Sequence, residues 1–480
     1  MNYRFSITFI LGFTLFFLGC NQDKKQTEQQ QRPNILFIFT DDQGFQDLGC
    51  YGHPYIKTPN LDKLASEGTR FTQFYVNATV CSPSRAAFMT GRYPARDSIH
   101  GYIAHEAKNL RRNMPNWLNE NRITVADIAR KAGYVTGQFG KWHLGHSLDA
   151  PDPSEYGFDE HRTFVSNGKG WDDQGNLTET DVVHRAVLED LQKVDPTFWA
   201  HSTDYFVDEA VKFLERNKDK NFYLNLWSFL PHSTLAPTQK QLDEYADLEN
   251  ISPDAFSGWM REDAKNEENF ETYLRIYMAA VTAMDKAIGR LLDKLEALGL
   301  SDNTLVFFTS DNGPENASIR AGMGSPGDFR GRKRSMYEGG IRMPCIARWP
   351  GQIPKDRVDS TSVIAGIDWL PTIAALLNQD PVNETDGVNM IDALKGNSWQ
   401  RQQPLFWEYR FTVHGNPSYN APDLCIRKGD WKLFTNQEQT RTELYNIIND
   451  SQERVNLAEK NPDKVNELKS LLLDWKESIP

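Results

Sequence analysis

Residues 34–40, Asn34-Ile35-Leu36-Phe37-Ile38-Phe39-Thr40, are apolar almost without a break over the length of one strand. A strand with one wet face alternates; this one does not, so the pattern predicts a strand buried on both faces, the habit of parallel sheets. Similar runs recur at 134–139, 222–229 and 304–310, with a shorter one at 346–350. Between them the apolar period lengthens to that of helices. One is predicted at 61–67, with Asn60 as cap and Gly68 as stop; another at 125–132 runs from Thr124 to Gly133. Others fall at 205–216, at 272–298 ahead of Gly299, and at 368–377. Strands alternating with helices imply an open α/β sheet. The span 148–203 is polar and irregular and reads as loops shaping a substrate cleft. Near residue 398 the texture changes. Residues 406–410 and 424–434 read as antiparallel strands, the second a hairpin at Lys428-Gly429-Asp430, and 461–478 as a final helix. This predicts a catalytic domain at 33–397 and a small α+β domain at 398–480. There is no internal repeat.

The first residues have another pattern. Arg4 precedes an apolar stretch that ends at Cys20, too short for a membrane span and suited to a signal peptide at 1–19. Phe17-Leu18-Gly19-Cys20 resembles a bacterial lipoprotein box, with Phe17 where Leu is usual. Cys20 would then be lipidated, and 20–32, rich in Gln and Lys, would be a disordered tether. The expected location is the bacterial cell envelope, on the periplasmic face or the cell surface, held by the lipid.

Composition narrows the partners. The 480 residues carry 53 Lys and Arg against 65 Asp and Glu, a net charge of −12. No basic run or RNA-binding signature is present, so nucleic acid is excluded as a partner. An acidic protein with an anionic substrate needs a local basic pocket. The 5 cysteines, at 20, 50, 81, 345 and 425, show no paired spacing, which argues against a disulfide framework or a zinc site.

The candidate chemistry sits where strands end. Asp41-Asp42 follows the first strand, Lys141 with His143 the second, His232 the third and Asp311-Asn312 the fourth. In an open α/β sheet, ligands bind beyond the carboxyl ends of the strands, so parallel neighbours would bring these groups together. The stretch Cys81-Ser82-Pro83-Ser84-Arg85 reads as the start of a helix ended by Gly91. A helix N-terminus and Arg85 both favour negative charge at position 81. Three carboxylates and an amide oxygen form a hard site that suits Ca²⁺ or Mg²⁺ better than zinc. Lys141, Lys333 and Arg85 would neutralise a developing anion, and His143 and His232 could move protons.

These motifs, in this order, resemble the type I, formylglycine-dependent sulfatases of the alkaline-phosphatase-like superfamily. The signature is Asp-Asp after the first strand, Cys-x-Pro-Ser-Arg, Gly-Lys-Trp-His-Leu-Gly, Pro-His, Asp-Asn-Gly and Gly-Arg-Lys-x-x-x-x-Glu-Gly-Gly. Thr58-Pro59-Asn60-Leu61-Asp62 and the late Glu443-Leu444-Tyr445-Asn446 extend it. The resemblance implies a large α/β domain with a mostly parallel sheet between helices, plus a C-terminal α+β domain with an antiparallel sheet. It implies that a maturation enzyme oxidises Cys81 to formylglycine, the nucleophile on sulfur. Asp41, Asp42, Asp311, Asn312 and residue 81 would hold Ca²⁺, or Mg²⁺. Arg85 and Lys141 would fix the formylglycine and the sulfate, His143 would take the proton that drives sulfate out, and His232 with Lys333 would bind sulfate and protonate the leaving alcohol. The expected substrate is a sulfated polysaccharide or its oligosaccharides. The resemblance does not carry the sugar subsites, for which His53, His100, His105, Trp171, His201, Arg330 and His414 are candidates. A phosphomonoester or phosphonate hydrolase of the same superfamily is the nearest alternative, and a glycan-binding lipoprotein without activity is another. The Asp311-Asn312 pair and the lack of clustered His argue against the first; intact Cys81, Arg85, Lys141 and His143 argue against the second.

Overall fold

The computed structural model describes residues 32–146, 149–164, 200–232, 235–316 and 322–480. The predicted signal peptide, Cys20, all of the tether before Arg32, and Trp171 lie outside the described residues. Among those described, no helix is long and apolar enough to cross a membrane.

β1 (Asn34–Thr40) is buried at every position, as its unbroken apolar run requires. Its side chains divide by parity. Ile35, Phe37 and Phe39 enter one hydrophobic core, and Leu36 and Ile38 enter another on the opposite face. β1 lies between β5 (Phe222–Trp227) and β6 (Thr304–Ser310), parallel to both. β3 (Val135–Lys141) pairs with β5, and β4 (Glu160–Phe164) with β3, again parallel. Beyond β6 the direction reverses. β7 (Arg342–Arg348) runs antiparallel to β6 and to β2 (Thr69–Tyr75), while β8 (Arg357–Asp359) and β9 (Ile364–Ala365) join β2 in parallel. The large sheet is therefore mostly parallel.

Helices cover both faces. Cys81–Thr90, Val125–Lys131 and Trp369–Leu376 pack on the Phe37 side, and Phe270–Ala297 and Ser202–Asn217 on the Leu36 side. Phe88 seats the Cys81–Thr90 helix, its ring centroid 5.2 Å from that of Phe37 and 4.7 Å from that of Phe39. A second, antiparallel sheet has the order β10 (Leu405–Glu408), β11 (Leu424–Lys428), β12 (Trp431–Thr435), β13 (Thr442–Asn446). The Pro462–Glu477 helix packs on it through Leu468, Leu472 and Trp475, the last stacked on Phe406. Its apolar residues are continuous with the core on the Phe37 side, and Trp407 Nε1 donates to the Val76 carbonyl at 2.7 Å.

Several local expectations change. Asn60 does not cap its helix, which starts at Pro59 behind Thr58. The Asp285 carboxylate does the capping instead, accepting from the backbone N–H of Asn60 and of Leu61 at 3.2 and 2.8 Å. β2 escaped the sequence reading because Arg70, Thr72 and Gln73 interrupt its apolar run. β4 and the start of the Ser202–Asn217 helix lie inside the span expected to be irregular. β7 starts at Arg342 rather than at residue 346.

Candidate active site

β1, β3, β5 and β6 are parallel neighbours, so their carboxyl ends open on one place. Asp41 and Asp42 leave β1, Lys141 closes β3, His232 follows β5, and Asp311-Asn312 leave β6. Gly140 lets β3 come in close: its φ is 115°, and a Cβ there would stand 1.9 Å from the Trp227 carbonyl oxygen of β5. The Cys81–Thr90 helix points its N-terminus at the same place. Cys81 Sγ lies 3.3 Å from Asp41 Oδ1 and 3.4 Å from Lys141 Nζ. The loop bearing Lys333 is tied in by its backbone, Lys333 N–H to Pro314 O at 2.9 Å and Arg334 N–H to Thr79 O at 2.9 Å.

Three cations are interleaved with three carboxylates, all buried. Lys141 Nζ is 2.5 Å from Asp41 Oδ2, Lys333 Nζ 2.6 Å from Asp42 Oδ2, and Arg85 Nη2 2.8 Å from Asp311 Oδ2. Arg85 is held further by the Lys141 carbonyl at 3.0 Å and by the rings of Phe39 and Trp227, 5.2 and 5.1 Å from its Cζ. Asn312 Nδ2 donates to Asp42 Oδ1 at 2.7 Å. His232 Nε2 stands 3.6 Å from Asp42 Oδ2.

The electrostatics follow from this crowding. Burial alone would raise the Asp41 carboxyl, but Lys141, His232, Arg85 and Lys333 outweigh it and hold it well below the usual range. Asp311 goes the other way, raised by burial and by the charge of Asp41. Cys81 corrects an expectation. Burial, and then the Asp41 carboxylate, push its thiol well up, overcoming Lys141, Lys333 and any pull of the helix end. These surroundings therefore do not favour the thiolate of the unmodified side chain.

His143 is arranged differently. Its Nε2 faces the Ile103 carbonyl at 3.1 Å, and a carbonyl only accepts, so Nε2 carries the proton. Nδ1, buried without a hydrogen-bond partner, keeps its lone pair. Burial, then Lys141 and Arg85, hold the imidazole neutral. His143 and Asp42 both have left-handed backbone, φ 57° and 61°, uncommon outside glycine and concentrated at functional sites.

The ligand-bearing atoms of Asp41, Asp42, Cys81 and His232 lie within 4.8 Å of one another and could hold a metal ion. His232 stands in this group in addition to members of the expected set, while Asp311 Oδ2 accepts from Arg85 Nη2 at 2.8 Å. Sulfur and imidazole would favour a softer ion, three carboxylates and an amide a harder one. Asn312 Oδ1 bears on the choice: it is buried and has no hydrogen-bond partner. A hard cation fits that oxygen and its carboxylate neighbours.

The remaining candidates scatter. His53 is buried, its Nδ1 accepting from the N–H groups of Tyr55 and Ile56, and it serves the turn. His100 Nδ1 is 3.0 Å from Glu408 Oε1 behind the Cys81 helix. Arg330 lies 3.8 Å over the Tyr337 ring and donates to Ser418 O. His201 is exposed beside Asp204. His105 and His414 are exposed on the 102–112 and 409–415 segments. Sequence reasoning missed Ile103, whose backbone joins the Cys81 helix to His143, and Tyr102 before it: Ile103 N–H donates to Ser82 Oγ at 2.9 Å.

Cys81 at a helix end, carboxylates and cations at the mouth of a mostly parallel sheet, and a second antiparallel sheet define the alkaline-phosphatase-like class of ester hydrolases. The profile of the sulfatase family matches residues 33–379, and that of the N-sulphoglucosamine sulphohydrolase C-terminal region matches 328–477. Human arylsulfatase A is 32% identical over 427 residues, covering 83% of this chain and 74% of its own. An N-acetylgalactosamine-6-O-sulfatase of Bacteroides thetaiotaomicron is 27% identical and covers 95% of both chains. Among solved structures, Ps i-CgsB in complex with k-i-k-neocarrahexaose superposes with a TM-score of 0.70 at 25% identity, over 93% of each chain. The chain belongs to the sulfatase family and is a sulfuric ester hydrolase.

Proposed function

We propose that this protein removes sulfate from a sulfated glycan, using formylglycine made from Cys81 and a bound Ca²⁺. The observation that carries the reading is position 81 itself: a buried cysteine at a helix end, its Sγ 3.3 Å from Asp41 and 3.4 Å from Lys141. Oxidation to the aldehyde would replace that sulfur with oxygen suited to a hard ion. Asp41, Asp42, Asp311, Asn312 and residue 81 would hold Ca²⁺, whose charge lowers the cost of anionic oxygens beside it. The hydrated aldehyde supplies a hydroxyl to attack sulfur and a second to release the enzyme afterwards.

The other residues act by position and proton transfer. Lys141 and Arg85 keep residue 81 and the sulfate oxygens in a fixed cationic frame. His143, neutral with Nδ1 open, accepts the proton whose removal lets sulfate depart. Lys333 and His232, on the Asp42 side, meet the sulfate and protonate the departing alcohol. A sugar substrate is supported by relatives named for N-acetylgalactosamine 6-sulfate and by a similar structure holding a carrageenan-type oligosaccharide. An envelope location with lipid on Cys20 is part of the same proposal, resting on the N-terminal residues alone.

Peptide mass spectrometry on protein made with a maturation enzyme should find position 81 as the aldehyde, and the protein should release sulfate from sulfated oligosaccharides. Cys81→Ala should release none while keeping its fold. Sulfate release undiminished in Cys81→Ala would end this reading.

A further inference from the structure

Beside the buried site lies a second group of cations with different company. The Glu106–Arg111 helix and the residue after it carry Lys108, Arg111 and Arg112; the 409–415 segment brings Arg410. Among the described residues, no ion pair gives any of these four a carboxylate, although acids outnumber bases by 65 to 53 in the chain. Lys108, Arg112 and Arg410 lie against aromatic rings instead. Arg112 Cζ lies 4.5 Å from the Tyr102 ring centroid and 4.7 Å from that of Phe411, and Lys108 Nζ lies 4.7 Å from the Tyr102 ring. Arg410 Nη2 donates to the Arg112 carbonyl at 3.1 Å, fastening the two segments together. Among the described residues Arg112 directs its side-chain donors to Tyr102, to the carbonyl at 3.3 Å and to the phenol, and the others remain for a ligand.

This rim adjoins the reacting centre. Tyr102 precedes Ile103, whose N–H and carbonyl bind Ser82 and His143, and the Tyr102 and His143 ring centroids are 6.5 Å apart. Tyr409 bridges the other way. Burial pushes its phenol up to about 12, against the pull of Arg334, Arg112 and Lys333, so its hydroxyl lies within the field of both groups. Gly101 is packed on Phe411, where a Cβ would meet the ring at 2.8 Å.

Arginines stacked on rings and free of carboxylates form a preorganised fork for an oxyanion. We infer that Lys108, Arg112 and Arg410 bind a second anionic group of the glycan, one that the enzyme does not cleave. This rests on the glycan sulfatase reading above, and it makes the preferred substrate polyanionic. The group is a uronate carboxylate or a further sulfate ester, which offer the fork the same chemistry.

The test measures binding and turnover separately. Calorimetry on the matured, Ca²⁺-loaded enzyme would use hexasaccharides from heparin, chondroitin sulfate and carrageenan, with the uronate-bearing ones also in carboxyl-reduced form. At least one should bind, and Arg112→Gln with Arg410→Gln should weaken it by about tenfold or more. Where the glycan is turned over, the loss should fall on KM and not on kcat. Arg112→Lys with Arg410→Lys should recover part of it, showing that charge and not fold was lost. If the glutamine pair fails to fold, Lys108→Gln carries the same test, with a weakening of a few-fold. Loss of binding on carboxyl reduction assigns the uronate; retention assigns the second sulfate. Unchanged affinity in the glutamine variants, or a matured enzyme that binds none of the oligosaccharides, overturns the inference. Binding that depends on the arginines without any sulfate release would instead leave the rim standing and defeat the hydrolase reading.

Discussion

Buried and half-exposed cations of this protein are held in opposite ways. Lys141, Lys333 and Arg85 each lie within 2.8 Å of a carboxylate, with almost no solvent exposure. Lys108, Arg112 and Arg410 have rings and carbonyls around them and open water beyond. The inner set cannot be buried without compensation, because an unpaired charge in low dielectric is costly. The carboxylates that compensate it are the ones a cation would draw on, so the protein's balance and the ion's binding are one problem. The outer set is left uncompensated because water screens it. A ligand's anion can then supply the missing partner. On the function proposed above, the inner set would serve the reacting sulfate and the outer set recognition.

The first way to break this comparison is Lys333→Met. It removes a cation from Asp42 and from the expected position of the sulfate. We expect kcat/KM for sulfate release to fall by about a hundred- to a thousandfold, the usual loss when one donor to a developing anion goes. A loss of under threefold would mean that Lys333 only balances Asp42.

Lys432 sharpens the contrast, being a buried cation that touches none of the candidate site residues. Its Nζ is 2.7 Å from Glu338 Oε1 and 3.0 Å from Glu453 Oε1. Lys432→Met should cost about 3–5 kcal/mol in urea unfolding, since the buried Glu338 carboxylate loses its counter-charge. The folded fraction should keep its kcat. Glu453 adds a pH signature. Burial raises its carboxyl to about 8, against the pull of Lys432. The native state therefore holds a proton that the unfolded state releases near its model value of 4.5, so stability falls as pH rises between 4.5 and about 8. In Glu453→Gln that decline should be shallower, as read from urea midpoints across that window. Parallel profiles for the two proteins would show that Glu453 is ionised in the fold at neutral pH.

The inner set was legible in the sequence and the outer set was not, for a physical reason. A parallel sheet places every residue that follows a strand on one edge, so Asp41, Lys141, His232 and Asp311 could be brought together from four apolar runs alone. The helix of Cys81 was marked by Pro83 and Gly91. The rim joins 102–112 to 409–415, segments some three hundred residues apart in the chain with no periodic pattern to announce their meeting. His105 and His414 were flagged on those segments, but the residues that interlock are their neighbours. The helix end and Arg85, which favour negative charge at Cys81, are visible in the sequence; burial and the nearness of Asp41, which oppose it, are not.

Salt offers the smallest effect and the most direct reading of the comparison. The Debye length is about 10 Å at 0.1 M salt and about 3 Å at 1 M. The inner pairs are shielded by protein from that change, because no solvent lies between Lys141 and Asp41 at 2.5 Å. The rim is open to ions along its outer side, so added salt competes with any oxyanion it holds. Raising salt from about 0.05 to about 0.5 M should therefore raise KM for a polyanionic oligosaccharide several-fold, with kcat within about twofold. In Arg112→Gln with Arg410→Gln the salt dependence of KM should shrink toward that of a small aryl sulfate, whose single anion goes to the inner site. Equal salt slopes for parent and variant would place the recognition charge elsewhere on the surface, and a falling kcat would mean that the inner set is wetter than its packing shows.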